Sequence, residues 1–444
     1  MADVRASRQL AESRPIKKVV VLGANGTMGY QSGALFAAAG AQTTFLARTR
    51  DKARQGRDGA GRAVRSSALT KLIDVGCYSE DLPQAVAQAD LIFEAVAENF
   101  EIKHEMLELI DRHRRPDSIV ATVSSGLSIT DLAKSRSESF ARNFLGLHFF
   151  NPPQVIVGTE LIAGQATDPA LVDFIDAYST HKLGRLMVRT ANTPGFAGNR
   201  IGFKVLNEVC QLAEEYGPLV IDKVVGRYTG RALAPLATVD LVGWDVHQAI
   251  CDNIYDKVKD EAIETYRMPD YMRRLIAAGT LGTKSGKGFF MRNKGEPLRV
   301  LDIKSGEYKD ARSIEVPKLP FAEQIIFLNS IGAYKRAMEV FTTAEGKWAN
   351  LARKVIGGYI SYALCRVGEV TESVIGVDSI MAAGFNWAPP SALVEAIGVK
   401  STVKILEDNK LTVPPLLERA LKNGTERFFD EPRLSLGKYF VAKS

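Results

Sequence analysis

Residues 17–29 read KKVVVLGANGTMG, an apolar run from Val19 to Leu22 that opens onto Gly23, Gly26 and Gly29 and then onto alanine-rich sequence. A strand ending in a glycine-rich turn that leads into a helix is how a dinucleotide-binding turn reads. Glycines let the backbone approach a pyrophosphate, and the helix N-terminus offers it unpaired N–H groups. The usual spacing is G-x-G-x-x-G, whereas one extra residue here gives G-x-x-G-x-x-G. Treating Ala24-x-Gly26-x-x-Gly29 as the fingerprint, with alanine at the first turn and Gly23 before it, absorbs the extra residue. The candidate phosphate cradle is then Gly23, Ala24, Gly26, Thr27, Met28 and Gly29; an ordinary glycine turn is the alternative.

Outward from this loop, strand and helix patterns alternate. YQSGALFAAAG reads as a helix closed by Gly40, AQTTFLAR as a strand, ADLIFEAVAE as a strand, EIKHEMLELIDRHRR as an amphipathic helix and SIVATVSS as a strand. Strands separated by helices imply a parallel, doubly wound sheet, an α/β nucleotide domain of Rossmann type. From Thr193 the apolar spacing becomes helical, and Pro194 with Gly195 marks the break, so a boundary is expected near residue 192. A shift of 155 residues exposes a repeat: Gly202 falls on Gly357, Cys210 on Cys365, Glu214 on Glu369, Pro235 on Pro390, Ala237 on Ala392, Val239 on Val394 and Gly243 on Gly398. So many identities at one offset indicate a duplicated helical domain. The expected layout is a flexible tail over 1–14, the dinucleotide domain over 15–192, a first all-α domain over 193–293, a linker over 294–320 and a second, structural all-α copy over 321–430.

At 444 residues, 46% hydrophobic and 24% charged, the chain reads as globular throughout, with room for two or three domains. No stretch approaches the roughly 18 uninterrupted apolar residues of a membrane helix, and the polar start is not a secretory signal. Cys77, Cys210, Cys251 and Cys365 lie far apart, without the spacings of zinc or redox motifs, which fits a reducing cytoplasm and no bound metal. The net charge of +6 is modest and lacks the arginine–aromatic clusters of nucleic-acid binding. Neither nucleic acid nor a membrane is an expected partner.

FEAVAENFEIK, SSGLSI, GLHFFNPP, a glutamate twelve positions past the histidine and TPGFAGNR together resemble the 3-hydroxyacyl-CoA dehydrogenase family over residues 17–290, in the family's order and near its spacing. LGTKSGKGFFMRN resembles the segment that closes the family's helical domain. The resemblance implies cofactor contacts at Glu98, Lys103, Ser125 and Asn151, and a catalytic set of His148, Glu160, Asn199 and again Ser125. Each residue type suits hydride transfer from a secondary alcohol. Histidine, with an ordinary pKa of about 6.5, is the side chain best placed to take the hydroxyl proton. A carboxylate can hold its tautomer, and serine and asparagine can donate to the substrate oxygen. A histidine beside two phenylalanines would by itself read as a packing residue; the glutamate, serine and asparagine make it a catalytic one. His104, His113, His181 and His247 lack such company and read as surface or packing residues.

The layout is similar to the dehydrogenase portion of long family members with two helical domains, many of which continue into an enoyl-CoA hydratase module for which 444 residues leave no room. In the second copy Lys354 stands where Asn199 stands in the first, so that copy is expected to be structural, an internal stand-in for a dimer partner. A monomer by this pseudo-dimeric duplication, or a homodimer, is implied. The family usually ends its second strand with an acid for the adenosine ribose, but Ala47 and Arg48 stand here. NAD is the expected cofactor, with NADP as the alternative because Arg48 and Arg50 suit a 2′-phosphate. Arg62, Arg65 and Lys71 lie in the stretch where the family contacts CoA. The implied activity is the interconversion of (3S)-3-hydroxyacyl-CoA and 3-oxoacyl-CoA in fatty-acid β-oxidation or related metabolism. A dehydrogenase of a free hydroxy acid and a non-catalytic nucleotide-binding protein are the alternatives.

Overall fold

The computed structural model describes residues 2–428, which form two units that divide between Ala197 and Gly198. The N-terminal unit runs α1 (Ala2–Glu12), β1 (Lys18–Leu22), α2 (Thr27–Ala38), β2 (Gln42–Ala47), α3 (Arg50–Ala63), β3 (Ile73–Cys77), α4 (Tyr78–Gln88), β4 (Leu91–Glu94), α5 (Phe100–His113), β5 (Ile119–Thr122), α6 (Ile129–Ala133), α7 (Glu138–Arg142), β6 (Phe144–Phe149), β7 (Gly158–Ala163), α8 (Pro169–His181) and β8 (Leu186–Thr190). Its sheet has the order β3-β2-β1-β4-β5-β6-β7-β8, parallel except for the β6–β7 pair. Strands β4, β5 and β6 are buried along their whole length, as expected of strands covered by helices on both faces. Alternate residues feed two cores: Val19, Val21 and Phe93 pack on one face, Val20, Leu22 and Ile92 on the other. The strand order reverses between β1 and β4, and the crevice beyond their carboxyl ends is where an open α/β sheet binds its ligand.

The first residues depart from the expected tail. Residues 2–12 form α1, which packs on α8. Ala11 is buried, Ser7 Oγ lies 3.0 Å from His181 Nε2, and Glu12 meets Lys182 at 3.3 Å. The Arg14 guanidinium donates to the carbonyl of Asp117. An amphipathic pattern too short to stand alone is stabilised here by a neighbour distant in sequence.

The C-terminal unit holds both helical copies. The first comprises α9 (Gly198–Tyr216), α10 (Pro218–Val224), α11 (Pro235–Val242), α12 (Trp244–Lys257) and α13 (Asp270–Ala277). The second comprises α14 (Pro320–Ser330), α15 (Tyr334–Thr343), α16 (Lys347–Cys365), α17 (Val374–Ala383), α18 (Pro390–Ile397), α19 (Val399–Asp408) and α20 (Pro415–Lys422). The expected linker is not plain coil: β9 (Phe290–Met291), β10 (Arg299–Leu301) and β11 (Tyr308–Asp310) form an antiparallel sheet. Its β10–β11 turn is closed by the Asp302 carboxylate, which accepts the N–H groups of Lys304 and Ser305, and by Gly306 at φ 76°.

The repeat is visible in the backbone. Gly243 and Gly398 follow α11 and α18 at φ 97° and 92°, and an aspartate, half-buried Asp222 or buried Asp378, caps each of these helices. Asp222 accepts the N–H of Leu236 at 2.7 Å, and Asp378 that of Ser391 at 3.1 Å. Burial pushes the Asp222 carboxyl up to about 7 despite these bonds. Ile201, Val205, Ile356 and Ile360 are all buried, and Lys354 is exposed.

Helix α16 ends at Cys365, and the turn through left-handed Gly368 carries Glu369 to Arg200 at 3.0 Å. There the copies share a dense ionic cluster. Arg200 also donates to Asp260 at 2.8 Å and to Tyr362 Oη at 2.6 Å, while Arg366 reaches Asp260 at 3.0 Å and Glu261 at 3.1 Å. A second seam pairs Arg231 with Trp387 as a β-bridge, the buried guanidinium lying 4.5 Å above the indole and 5.7 Å from the Tyr359 ring. A Cβ at Gly202 would lie 2.2 Å from the Phe385 ring, so glycine is what lets α9 approach so closely.

Burial pulls the Asp260 carboxyl upward, but the hydrogen bonds from Arg200 and Tyr362, with that of the Ala262 N–H, outweigh it and hold its pKa below the ordinary value. Its contribution to stability is therefore complete above the unfolded value of about 3.9 and is lost as pH falls through the lower folded one. Asp260→Asn should cost about 3 kcal/mol at neutral pH, as breaking a buried pair does. Calorimetric melts should show the wild type losing its advantage over the variant as the buffer is taken below about pH 3.9.

Candidate active site

The glycine loop stands at the end of β1. Gly23 adopts φ 74°, its N–H donates to Tyr78 Oη at 2.8 Å, and a Cβ there would lie 2.2 Å from the Ala95 carbonyl oxygen. The sequence reading put Ala24 at the first turn, but the left-handed residue is Gly23. The Gly26 N–H returns to the Gly23 carbonyl at 2.9 Å, closing a turn that takes up the extra residue. Gly29 packs under it, since a Cβ there would meet Gly23 O at 2.3 Å. Gly23, Ala24 and Gly29 are thus buried framework, whereas Asn25, Gly26 and Thr27 face outward and Met28 is half-buried. Helix α2 begins at Thr27 with Gly26 as a cap that has no side chain to bond its first N–H groups. These fit the oxygens of a pyrophosphate. Tyr78, which pins the loop, went unnoticed in the sequence because no motif marks it.

Arg48 is exposed just past β2. Arg50, the second cation offered to a 2′-phosphate, is engaged elsewhere: its Nη2 meets Glu80 at 2.9 Å and Asp81 at 2.8 Å. Arg62, Arg65 and Lys71 are all exposed.

The ends of β4 and β5 carry a buried polar network. Lys103 is expected from the resemblance to contact cofactor, yet its side chain is wholly buried, with Nζ 2.9 Å from Glu94 and 3.4 Å from Glu98. A buried ammonium must be paired, and this pairing takes up the side chain instead. Glu98, whose side chain is 38% exposed, keeps an open edge. Its Oε1 accepts from Ser124 Oγ at 2.6 Å and from the Ser125 N–H at 2.7 Å. Glu94 and Ser124 were missed in the sequence, although a glutamate inside the apolar run LIFEAV already calls for a buried cation. Asn151 is exposed and accepts from Gln31 Nε2 of α2 at 3.3 Å, which brings the HFFNPP segment to the helix that begins at the glycine loop.

His148 and Glu160 face one another across the antiparallel β6–β7 pair, in register. Nδ1 lies 2.6 Å from Glu160 Oε2, and the imidazole is 4% exposed. The second glutamate oxygen accepts the Ala197 N–H at 2.9 Å, and the rings of Phe150 and Phe196 stand 4.9 Å and 5.9 Å from the imidazole. Both carboxylate oxygens and Nδ1 of the ring are thereby engaged. Asn199 lies in the first turn of α9 and is buried. His247 is a packing residue: it is fully buried, bonded to Asn207 at 3.0 Å, and pushed by burial to a pKa of about 3.

A doubly wound sheet with a glycine loop at its switch point and a carboxylate-held histidine on β6, the strand next to β5, defines a dinucleotide-dependent dehydrogenase fold. Residues 18–193 match the NAD binding domain of the 3-hydroxyacyl-CoA dehydrogenase family, and residues 195–292 match its C-terminal domain. The chain belongs to that family, and its cofactor is NAD. A probable 3-hydroxyacyl-CoA dehydrogenase of Bacillus subtilis is 30% identical over 370 residues, which cover 82% of this chain and 46% of that protein, so the chain spans less than half of that relative's length. The crystal structure of (S)-3-hydroxybutyryl-CoA dehydrogenase from Ralstonia eutropha is 30% identical, with TM-score 0.54, covering 62% of this chain and 98% of the other. The 3-hydroxybutyryl-CoA dehydrogenase structure from Escherichia coli K12 shares the fold at TM-score 0.68 and 21% identity, over 92% of this chain and 99% of the other.

A Cβ at Gly26 would meet only Gly23 O, at 3.3 Å, a tight contact that a small shift of the loop relieves, whereas a bound pyrophosphate would leave it no space. Gly26→Val is expected to keep its circular dichroism spectrum and to lose NAD binding in calorimetry.

Proposed function

We propose that this chain catalyses the reversible oxidation of (3S)-3-hydroxyacyl-CoA to 3-oxoacyl-CoA, in fatty-acid β-oxidation or related acyl-CoA metabolism. The observation that carries this reading is the buried His148–Glu160 pair, 2.6 Å apart on adjacent strands. With Nδ1–H donated to the carboxylate, Nε2 is the atom that takes the hydroxyl proton, and Glu160 stabilises the imidazolium that forms. NAD supplies the hydride acceptor. The loop residues Gly26, Thr27 and Met28 would hold its pyrophosphate, and Glu98, Ser125 and Asn151 its nicotinamide half. Ser125 is the donor to the substrate oxygen, which becomes negative when the ketone is reduced, and the Asn199 amide is of the kind that can donate likewise.

The domain boundary near residue 192, a structural second copy and a monomeric state belong to the same reading. Support comes from the buried cluster the copies share and from exposed Lys354 in place of an asparagine. No helix among the described residues is long and apolar enough to cross a membrane, and the four cysteines are unpaired, which supports a reducing, cytoplasmic setting.

The test is oxidation of reduced NAD with acetoacetyl-CoA, followed by absorbance. His148→Ala should lower kcat by about 10²–10⁴, the usual share of a general base, with NAD affinity intact. Turnover near the wild-type rate would overturn the assignment. Lys354→Ala should leave kcat unchanged.

A further inference from the structure

The polar network at the ends of β4 and β5 is more than a pairing for one buried cation. Glu94 is wholly buried at the carboxyl end of β4, beside the switch point. Its Oε1 accepts from Lys103 Nζ at 2.9 Å and from the Val96 N–H at 2.6 Å, and its Oε2 accepts from Thr122 Oγ1 at 2.6 Å. One carboxylate therefore ties together the ends of β4 and β5 and the first turn of α5. Lys103 then passes the link to Glu98 at 3.4 Å, whose other oxygen receives Ser124 Oγ and the Ser125 N–H. Of the chain Thr122–Glu94–Lys103–Glu98–Ser125, the first three members are buried and only the outer end, Glu98 and Ser125, meets solvent.

We propose that Glu94 is a positioning residue for the cofactor: through Lys103 it fixes the Glu98 carboxylate and the Ser125 amide at the edge where NAD is held. The proposal rests on the role given to Glu98 and Ser125 above. Stability alone does not explain the arrangement, because apolar residues in place of a buried ion pair are commonly neutral or stabilising. What the ionic version supplies is an oriented carboxylate. An exposed glutamate would ordinarily lose its geometry to water and rotamer entropy, but both oxygens of Glu98 are occupied, one by two donors and the other by an ammonium whose position Glu94 dictates.

The charges give the proposal a signature. Burial pulls the Lys103 ammonium down, but Glu94 and then Glu98 outweigh it and hold its pKa above the ordinary value. The charged or titratable groups facing this network are those two carboxylates and, on the Glu94 side, the Tyr78 phenol. With Glu94 neutralised, Lys103 keeps only the half-exposed Glu98, and burial dominates. Its proton is then lost as pH rises, releasing Glu98.

NAD affinity of the full chain is measured by calorimetry, without substrate, from mildly acidic to mildly alkaline pH. The wild type should show no dependence from this group. Glu94→Gln should bind about tenfold more weakly at neutral pH, about 1.4 kcal/mol, and more weakly still as pH rises. Lys103→Met with Glu94→Gln should abolish the added pH dependence without restoring affinity, since an apolar pair cannot orient Glu98. Thr122→Val, which keeps the volume and removes only the Oγ1 bond, should weaken NAD in the same direction by a smaller factor and serves if Glu94→Gln does not fold. A folded Glu94→Gln with wild-type affinity and a flat profile would overturn the proposal. So would wild-type affinity in the double variant, or in Thr122→Val where it is the variant that folds. Failure of acyl-CoA turnover would sink the reaction proposed above and leave this measurement standing.

Discussion

The register of β6 on β7 is the constraint on which the candidate site depends. Side chains alternate along a strand, so slipping the pair by one residue would turn Glu160 to the other face and leave His148 against apolar neighbours. The pair also decides which ring nitrogen is left open: with Nδ1 committed to the carboxylate, that is Nε2. The other oxygen of the same glutamate accepts the Ala197 N–H, so the last residues of the N-terminal unit are anchored to the carboxylate that holds the imidazole.

Much of this was legible in the sequence because its signals are local. Glycines after an apolar run, alternating strands and helices, and short motifs in a fixed order led to the doubly wound sheet, to His148 with Glu160, and to the duplicated helices. Signals that depend on distant partners were not legible. Residues 1–14 look like a loose tail until α8 is there to receive Ala11. Lys103 looks like a surface cation until the end of β4 is folded beside it. Tyr78 becomes part of the glycine loop only through a hydrogen bond spanning 55 residues. The first turn fell on Gly23 and not Ala24 because a left-handed backbone, not motif spacing, decides which position must lack a side chain.

In the C-terminal unit the two copies keep common backbone features. Both retain the glycine and the capping aspartate that set α11 and α18, features that belong to the backbone. They differ at the position of Asn199, where the second copy has Lys354. The cluster of Arg200, Arg366, Asp260, Glu261 and Glu369 and the stacked Arg231 join the copies through charges and rings, beside the close packing of α9 on Phe385. Such contacts demand close geometry and favour one mutual arrangement.

Placing both copies in one polypeptide changes the statistics of their encounter. Two separate subunits joined by such an interface would part on dilution, whereas copies connected through the short β9–β11 sheet meet at an effective concentration set by that tether, on the order of millimolar for a short flexible one. Their pairing is consequently independent of how much protein is present, and the translational entropy of association does not enter.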